Sequence, residues 1–148
     1  MTTNTGSRIA ALDGLLCFDL YVASRAVTAL YRPMLDELHL TYPQYLVLRL
    51  LHADGTLTMS QLARELRLDH GTLTPLLRRM QASGLVTRRR SAVDERVVQI
   101  GITAAGEQLH ERFGDLQCRV DAAMGLTEPA ARKLRSTLRL LTASVSTG

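Results

Sequence analysis

Between Leu57 and Ile102 the spacing of apolar residues changes from a helical period to an alternating one, and this change restricts the fold more than any other feature. The segment LTMSQLARELRLDHGTLTPLLRRMQASGLVTRRR reads as two short helices and the start of a strand. Ser60 is the candidate N-cap of QLAREL, Asp69 caps the next helix, and Gly84 ends it in a left-handed conformation. In that second helix Leu73, Leu76, Leu77 and Met80 face one way, while Gly71, Pro75, Arg78, Arg79 and Ala82 face the other. Pro75 is tolerated because it falls in the first turns. LVTRRR and VVQIGI then form a hairpin around the polar tip SAVDER. Two helices followed by such a hairpin make a winged helix-turn-helix.

The flanks read as helices. Leu16, Leu20, Ala23, Val27, Leu30 and Met34 repeat at steps of four and three, predicting a helix from Ile9 to Met34. Pro43 opens QYLVLRLLHA, which Asp54 and Gly55 close. Thr103 caps a helix whose stripe is Leu109, Phe113, Leu116 and Val120, and Thr127 with Pro129 opens the last, with Leu134, Leu138, Leu141 and Val145. These flanking stripes exceed what a winged helix needs to cover itself, and mutual burial in a two-fold dimer is the economical explanation. The expected fold class is therefore mainly α with a small β-hairpin wing. In one chain of 148 residues, 41–103 form the winged helix-turn-helix, and 8–35 and 104–146 supply dimerisation helices.

Charge locates the partner. Of 18 basic side chains, all but Lys133 are arginine, and the net excess of +4 sits between residues 57 and 100. Neutralising phosphates releases condensed counterions, and the guanidinium fork grips phosphate or guanine bidentately. Double-stranded DNA is the expected partner, with a palindromic operator matching a two-fold dimer. The candidate contacts are His70, Thr72, Thr74, Pro75, Arg78 and Arg79 on the second helix, and Arg88, Arg89, Arg90, Asp94 and Arg96 on the hairpin. Thr72 and Thr74 stand at a helix N-terminus, where phosphates and base edges are met. Asp94, two residues before Arg96, is placed to aim its guanidinium. A plain solvated basic surface is the alternative, and the Asp94–Arg96 pair then contributes only ~0–1 kcal/mol.

No apolar run reaches the ~18–20 residues that cross a bilayer, and MTTNTGSR lacks the pattern of a signal peptide, so a cytoplasmic location without membrane contact is expected. The two cysteines lie 101 residues apart, without zinc-type spacing. Neither a metal site nor a cofactor nor a catalytic residue set is expected; thiol chemistry stays open.

Cys17 is either a small buried hydrophobe or a reactive thiol. Tyr21 lies one turn away, Tyr31 on the same stripe and Tyr42 at the next corner. Phenols that donate to a thiolate favour the charged, peroxide-reactive form. Cys17 and Tyr31 are nonetheless separated by roughly 21 Å along one helix. Antiparallel pairing of two first helices would bring Tyr31 of one chain beside Cys17 of the other, with Tyr42 following. Cys118 falls on the polar side of its helix and is either the resolving thiol or incidental.

LCFDLYVASRAVTALYRPMLDELHLTYPQYLVL, LDHGTLTPLLRRM and SAVDERVVQIGIT together resemble the MarR family, and more narrowly its organic-hydroperoxide-sensing (OhrR) repressors, over roughly residues 12–115. The resemblance implies a winged-helix homodimer that represses the gene of a peroxide-reducing enzyme until its N-terminal cysteine is oxidised by an organic hydroperoxide. It also implies that Cys17 is the sensor, that Tyr31 and Tyr42 are its phenolic partners from the other chain, and that Thr72 and Thr74 lie in the recognition helix with Asp94 and Arg96 on the wing. His70 stands where relatives usually carry serine. Cys118 resembles the second cysteine of the two-cysteine subgroup. Two alternatives stand beside this reading: a MarR-type repressor released by a small phenolic ligand in the dimer cleft, and a thiol peroxidase. The peroxidase lacks a His or Arg beside Cys17 in sequence and leaves the arginine-rich hairpin unexplained.

Overall fold

The computed structural model describes residues 11–146. Among them are seven helices and three strands: α1 (Leu16–Glu37), α2 (Tyr42–Asp54), β1 (Leu57–Thr58), α3 (Met59–Leu66), α4 (His70–Ala82), β2 (Val86–Arg90), β3 (Val98–Ile102), α5 (Ala104–Glu111), α6 (Leu116–Met124) and α7 (Glu128–Val145). The described residues up to Gly114 form one compact unit and those from Asp115 onward a second.

Threonine hydroxyls start most of these helices. Thr41 and Thr58 each build a reciprocal capping box, with Gln44 and Gln61 respectively. Thr103 and Thr127 cap α5 and α7, and the Asp69 carboxylate caps α4 through the Thr72 N–H at 2.6 Å. Ser60 is therefore not the cap of α3. The chain enters that helix from a two-residue strand, and Thr58, extended at φ −76° and ψ 159°, has the geometry that Ser60, already inside the helix, lacks.

Three further expectations are corrected. The first helix begins at Leu16 and runs through Pro33 to Glu37, with turns before it; Ile9 and Ala10 lie outside the described residues. The helix opened by Thr103 stops at Glu111, because Gly114 takes φ +46° and a new helix starts at Leu116. The hairpin is part of a three-stranded antiparallel sheet, since β1 pairs with β3 through Leu57↔Ile100 and Thr58↔Gln99. Two residues carry no period, so β1 was invisible to spacing.

The core of the first unit forms where α2, α3, α4 and the sheet meet. Leu48, Leu51, Leu62, Leu73, Leu77, Met80 and Ile100 are fully buried there. β2 pairs with β3 from Val86↔Ile102 to Arg90↔Val98. α5 lies against α2, and its Gly106 lets it start close to the sheet: a Cβ there would collide with the Leu85 carbonyl oxygen and the Ile102 side chain. The first half of α1 and all of α7 bury no residue within the chain.

Candidate nucleic-acid interface and thiol–phenol site

α4 buries Leu73, Leu76, Leu77 and Met80 and leaves His70, Thr72, Pro75, Arg78 and Arg79 exposed, with Thr74 half-buried. The outward face is therefore small near its N-terminus and carries its two arginines toward its C-terminal end. Thr72 contributes its backbone N–H to the Asp69 cap. That bond holds the Asp69 carboxyl below the usual carboxylate range.

The three consecutive arginines of β2 are not equivalent. Strand alternation puts Arg88 and Arg90 on the face that carries buried Val86, and Arg89 on the opposite face. Arg88 is half-buried, with its Nε shielded from solvent and unpartnered among the described residues. Arg90 donates from Nη1 to the Glu95 carbonyl at 2.8 Å and so braces the loop. Arg89 is exposed. At the tip, Arg96 donates from Nε to Asp94 Oδ1 and from Nη2 to Oδ2, both at 3.1 Å, and its backbone N–H donates to the same carboxylate at 3.0 Å. The Arg96 side chain is 91% exposed, so the fork is fixed on one edge and open on the other. The guanidinium in turn keeps the Asp94 carboxyl low. Such a fixed fork can meet phosphate or a base edge with little ordering cost.

Cys17 is exposed near the start of α1, and Cys118 is exposed on α6. Tyr21 is also exposed, with the Arg25 guanidinium 5.4 Å from its ring centroid. Tyr31 and Tyr42 lie elsewhere and together: their ring centroids are 4.8 Å apart, and Tyr31 is 5% exposed. Within one chain the structure thus joins the two phenols and leaves Cys17 apart from them, 14 positions back along the same helix from Tyr31.

Sequence reasoning missed what backs this phenol pair. Tyr45, 1% exposed, packs against Tyr31 at 5.5 Å, Tyr42 at 6.1 Å and Phe113 at 4.8 Å. Arg49 Nη1 donates to Tyr45 Oη at 3.0 Å. One turn on, His52 stacks on His110 at 3.7 Å and holds Glu107 through Nδ1 at 2.6 Å. Tyr42, Tyr45, Arg49 and His52 follow steps of three, four and three, so one stripe of α2 carries them all. The helical period alone would have found that stripe. Burial raises the Tyr42 phenol, Tyr45 adds to the rise, and Arg49 opposes it. Burial, then the neighbouring His52, pushes His110 down, with Arg49 adding to the effect and Glu107 and Glu111 opposing it.

A cavity of about 270 Å³ opens between α1 and the start of α2, lined by Thr28, Arg32, Leu35, Asp36, Leu40, Thr41 and Tyr42. No group of three or more potential metal ligands is present among the described residues. No described helix is long and apolar enough to cross a membrane.

The MarR family profile matches residues 40–98, the helices and hairpin that carry the exposed arginines. An organic hydroperoxide resistance transcriptional regulator of Bacillus subtilis (strain 168) is 45% identical over 124 residues, spanning 84% of this chain and 82% of the relative. The chain belongs to the MarR family. Among solved structures, reduced AbfR bound to DNA superposes with a TM-score of 0.75 at 30% identity, covering 96% of this MarR-family chain and 99% of AbfR. PcaV of Streptomyces coelicolor, solved with its natural ligand, gives a TM-score of 0.83 at 23% identity over 90% of this chain and 96% of PcaV, which supports the fold alone. This MarR-family chain is accordingly a DNA-binding transcriptional regulator of winged-helix fold, and its relatives are regulators rather than enzymes.

Proposed function

We propose that the protein is a homodimeric repressor that leaves its operator when Cys17 is oxidised by an organic hydroperoxide. The observation that carries this reading is the placement of the Tyr31–Tyr42 pair, packed ring on ring at the α1–α2 corner and out of reach of the chain's own Cys17. An antiparallel second copy of α1 would bring a thiol to each phenol pair. Two chains have reason to associate. Leu12, Leu15, Leu16, Tyr21 and Val22 are exposed in the first unit, and Leu134, Leu138, Leu140 and Val145 in the second. Apolar faces of this extent mark interaction surfaces. The Bacillus relative, named for organic hydroperoxide resistance, and AbfR, studied in a reduced form on DNA, agree in kind.

In the reaction, the Cys17 thiolate attacks one oxygen of the peroxide. An S–O bond forms, the O–O bond breaks, and the departing alkoxide takes a proton and leaves as an alcohol. Sulfur is oxidised to a sulfenic acid and the peroxide is reduced. A thiol, with Cys118 of either chain as the candidate, then displaces the sulfenic oxygen as water and leaves a disulfide. The added oxygen and the later bridge alter the packing of paired α1 helices and with it the spacing of the two α4 helices. On DNA, α4 enters the major groove with His70, Thr72, Thr74, Pro75, Arg78 and Arg79, and the wing follows with Arg88, Arg89, Arg90 and the aimed Asp94–Arg96 pair.

The test is a gel shift on the DNA upstream of the regulator's own gene, with cumene hydroperoxide as oxidant. Cys17→Ser should bind as the parent does and remain bound after oxidant releases the parent. Release of Cys17→Ser by the same oxidant overturns the thiol reading. The cavity beside Tyr42 favours a second reading, release by a small phenolic ligand with the cysteine structural. Release of both proteins by salicylate, and of neither by peroxide, would establish it.

A further inference from the structure

We propose that Arg49, acting through Tyr45, is the fixed positive charge that orients the Tyr31–Tyr42 phenols and favours the thiolate form of the Cys17 they receive from a second chain. The inference rests on the sensor reading above and assigns a positioning residue to that site. Along α1, Arg25 lies against the exposed Tyr21 ring and Arg32 lines the cavity beside Tyr42. Arg49 approaches from a different helix, and three observations place it behind the Tyr31–Tyr42 pair.

First, the stripe Tyr42, Tyr45, Arg49, His52 puts the guanidinium one turn beyond the tyrosine whose ring touches both phenols' rings. Second, Arg49 engages Tyr45 twice. Its Nη1 donates to the phenol oxygen at 3.0 Å, and its Cζ lies 5.8 Å from the ring centroid. A phenol accepting from a guanidinium must direct its own proton elsewhere, and the accepted bond makes that O–H a stronger donor. Third, Tyr45 cannot swing away, because Phe113 packs against it at 4.8 Å and it is almost wholly buried. The ring that Arg49 holds is thus the floor on which Tyr42 stacks and against which Tyr31 packs at a tilt.

The electrostatics have the required sign. Arg49 favours the ionised form of Tyr42, against burial. Its bond to Tyr45 raises its own pKa, so it stays charged throughout the range in which a thiol titrates. A cation acting on the phenols that donate to sulfur stabilises negative charge on that sulfur. The guanidinium is exposed on its outer side, and salt screens charges beyond ~8 Å, so the effect on the thiol is a modest one.

The experiment measures the rate of Cys17 alkylation by iodoacetamide against pH, in full-length protein carrying Cys118→Ser so that one thiol reports. Arg49→Gln should move the profile to higher pH and slow alkylation at pH 7 by about threefold or more, with the high-pH plateau unchanged. Tyr45→Phe, which keeps the ring stack and loses the accepting oxygen, should move it in the same direction by less. Arg49→Lys, which keeps the charge, should restore most of the parent profile. Coincident profiles for Arg49→Gln, Tyr45→Phe and parent overturn the proposal. So does a slowing by one factor at every pH, plateau included, because that reports access to the sulfur rather than its acidity. The gel shift with Cys17→Ser reads the sensor function separately, so failure of one reading is distinguishable from failure of the other.

Discussion

Arg96 is held by both oxygens of Asp94, and a guanidinium fixed in this way loses little freedom on meeting DNA. Arg96→Ala should weaken operator binding by about 1–3 kcal/mol at fixed salt if the fork makes a specific groove contact. Asp94→Asn should weaken it less, since the charge remains and only the aim is lost; equal losses would mean that Asp94 contacts DNA itself. This pair was legible in the sequence because two residues two apart at a hairpin tip can hardly avoid each other. Tyr45 and Arg49 were not, although they stand in plain helical register with Tyr42. Their meaning comes from Tyr31 and Phe113, which α1 and the α5 end of the chain bring in from distant sequence. Asp69 supplies a pH test at the same scale. Its carboxyl is depressed in the folded chain, so its contribution to stability is present above the unfolded carboxylate pKa and disappears as pH falls through the lower folded value. Urea unfolding followed from neutral pH into the acid range should show this loss, and Asp69→Asn should flatten it.

α3 offers a clean comparison of two hydroxyls in neighbouring positions. Thr58→Ala removes a reciprocal cap and should cost about 1 kcal/mol in urea unfolding, whereas Ser60→Ala, inside the helix, should be nearly neutral. The spacing of apolar residues located this helix and α4 well. It placed the cap wrongly because a two-residue strand before α3 has no period to read. The single helix expected after Thr103 failed for a related reason: Leu109, Phe113, Leu116 and Val120 keep helical steps across Gly114, whose positive φ breaks the backbone while leaving the pattern intact. Between α2 and α5, the stacked His52 and His110 with Glu107 form a contact that acid should loosen. His110 is depressed in the folded chain, so the neutral form belongs to the native state. Stability from this group is full above the unfolded histidine pKa of ~6.5 and is lost as pH falls below it through the folded value. Protection of the α5 amides, exchange rates being taken relative to the intrinsic rate at each pH, should therefore fall between neutral and mildly acidic pH, and His110→Gln should remove that dependence.

At the scale of the whole molecule, the apolar steps of α7 fall on one helix, as its spacing predicts, and among the described residues that helix buries none of its own. Leu134 is 46%, Leu138 38% and Val145 70% exposed, figures suited to a face that meets another surface. Leu138→Asp should shift the sedimenting species from two chains to one and weaken operator binding with it, while leaving the first unit's fold intact. An unchanged sedimentation profile would remove α7 from the pairing surface. The winged-helix part was the most readable because its core closes on itself. The flanking helices were readable as helices only, since the first half of α1 and all of α7 bury no residue and their apolar steps name no packing partner. Finally, Lys133, exposed on α7, bears the only side-chain amine in the protein, every other cation being an arginine. An acylating dye or bifunctional succinimidyl ester will therefore leave all the guanidinium-bearing surfaces chemically untouched, and with the α-amine of the chain blocked a fluorophore coupled at that one side-chain nitrogen can report association while promoter recognition proceeds unlabelled.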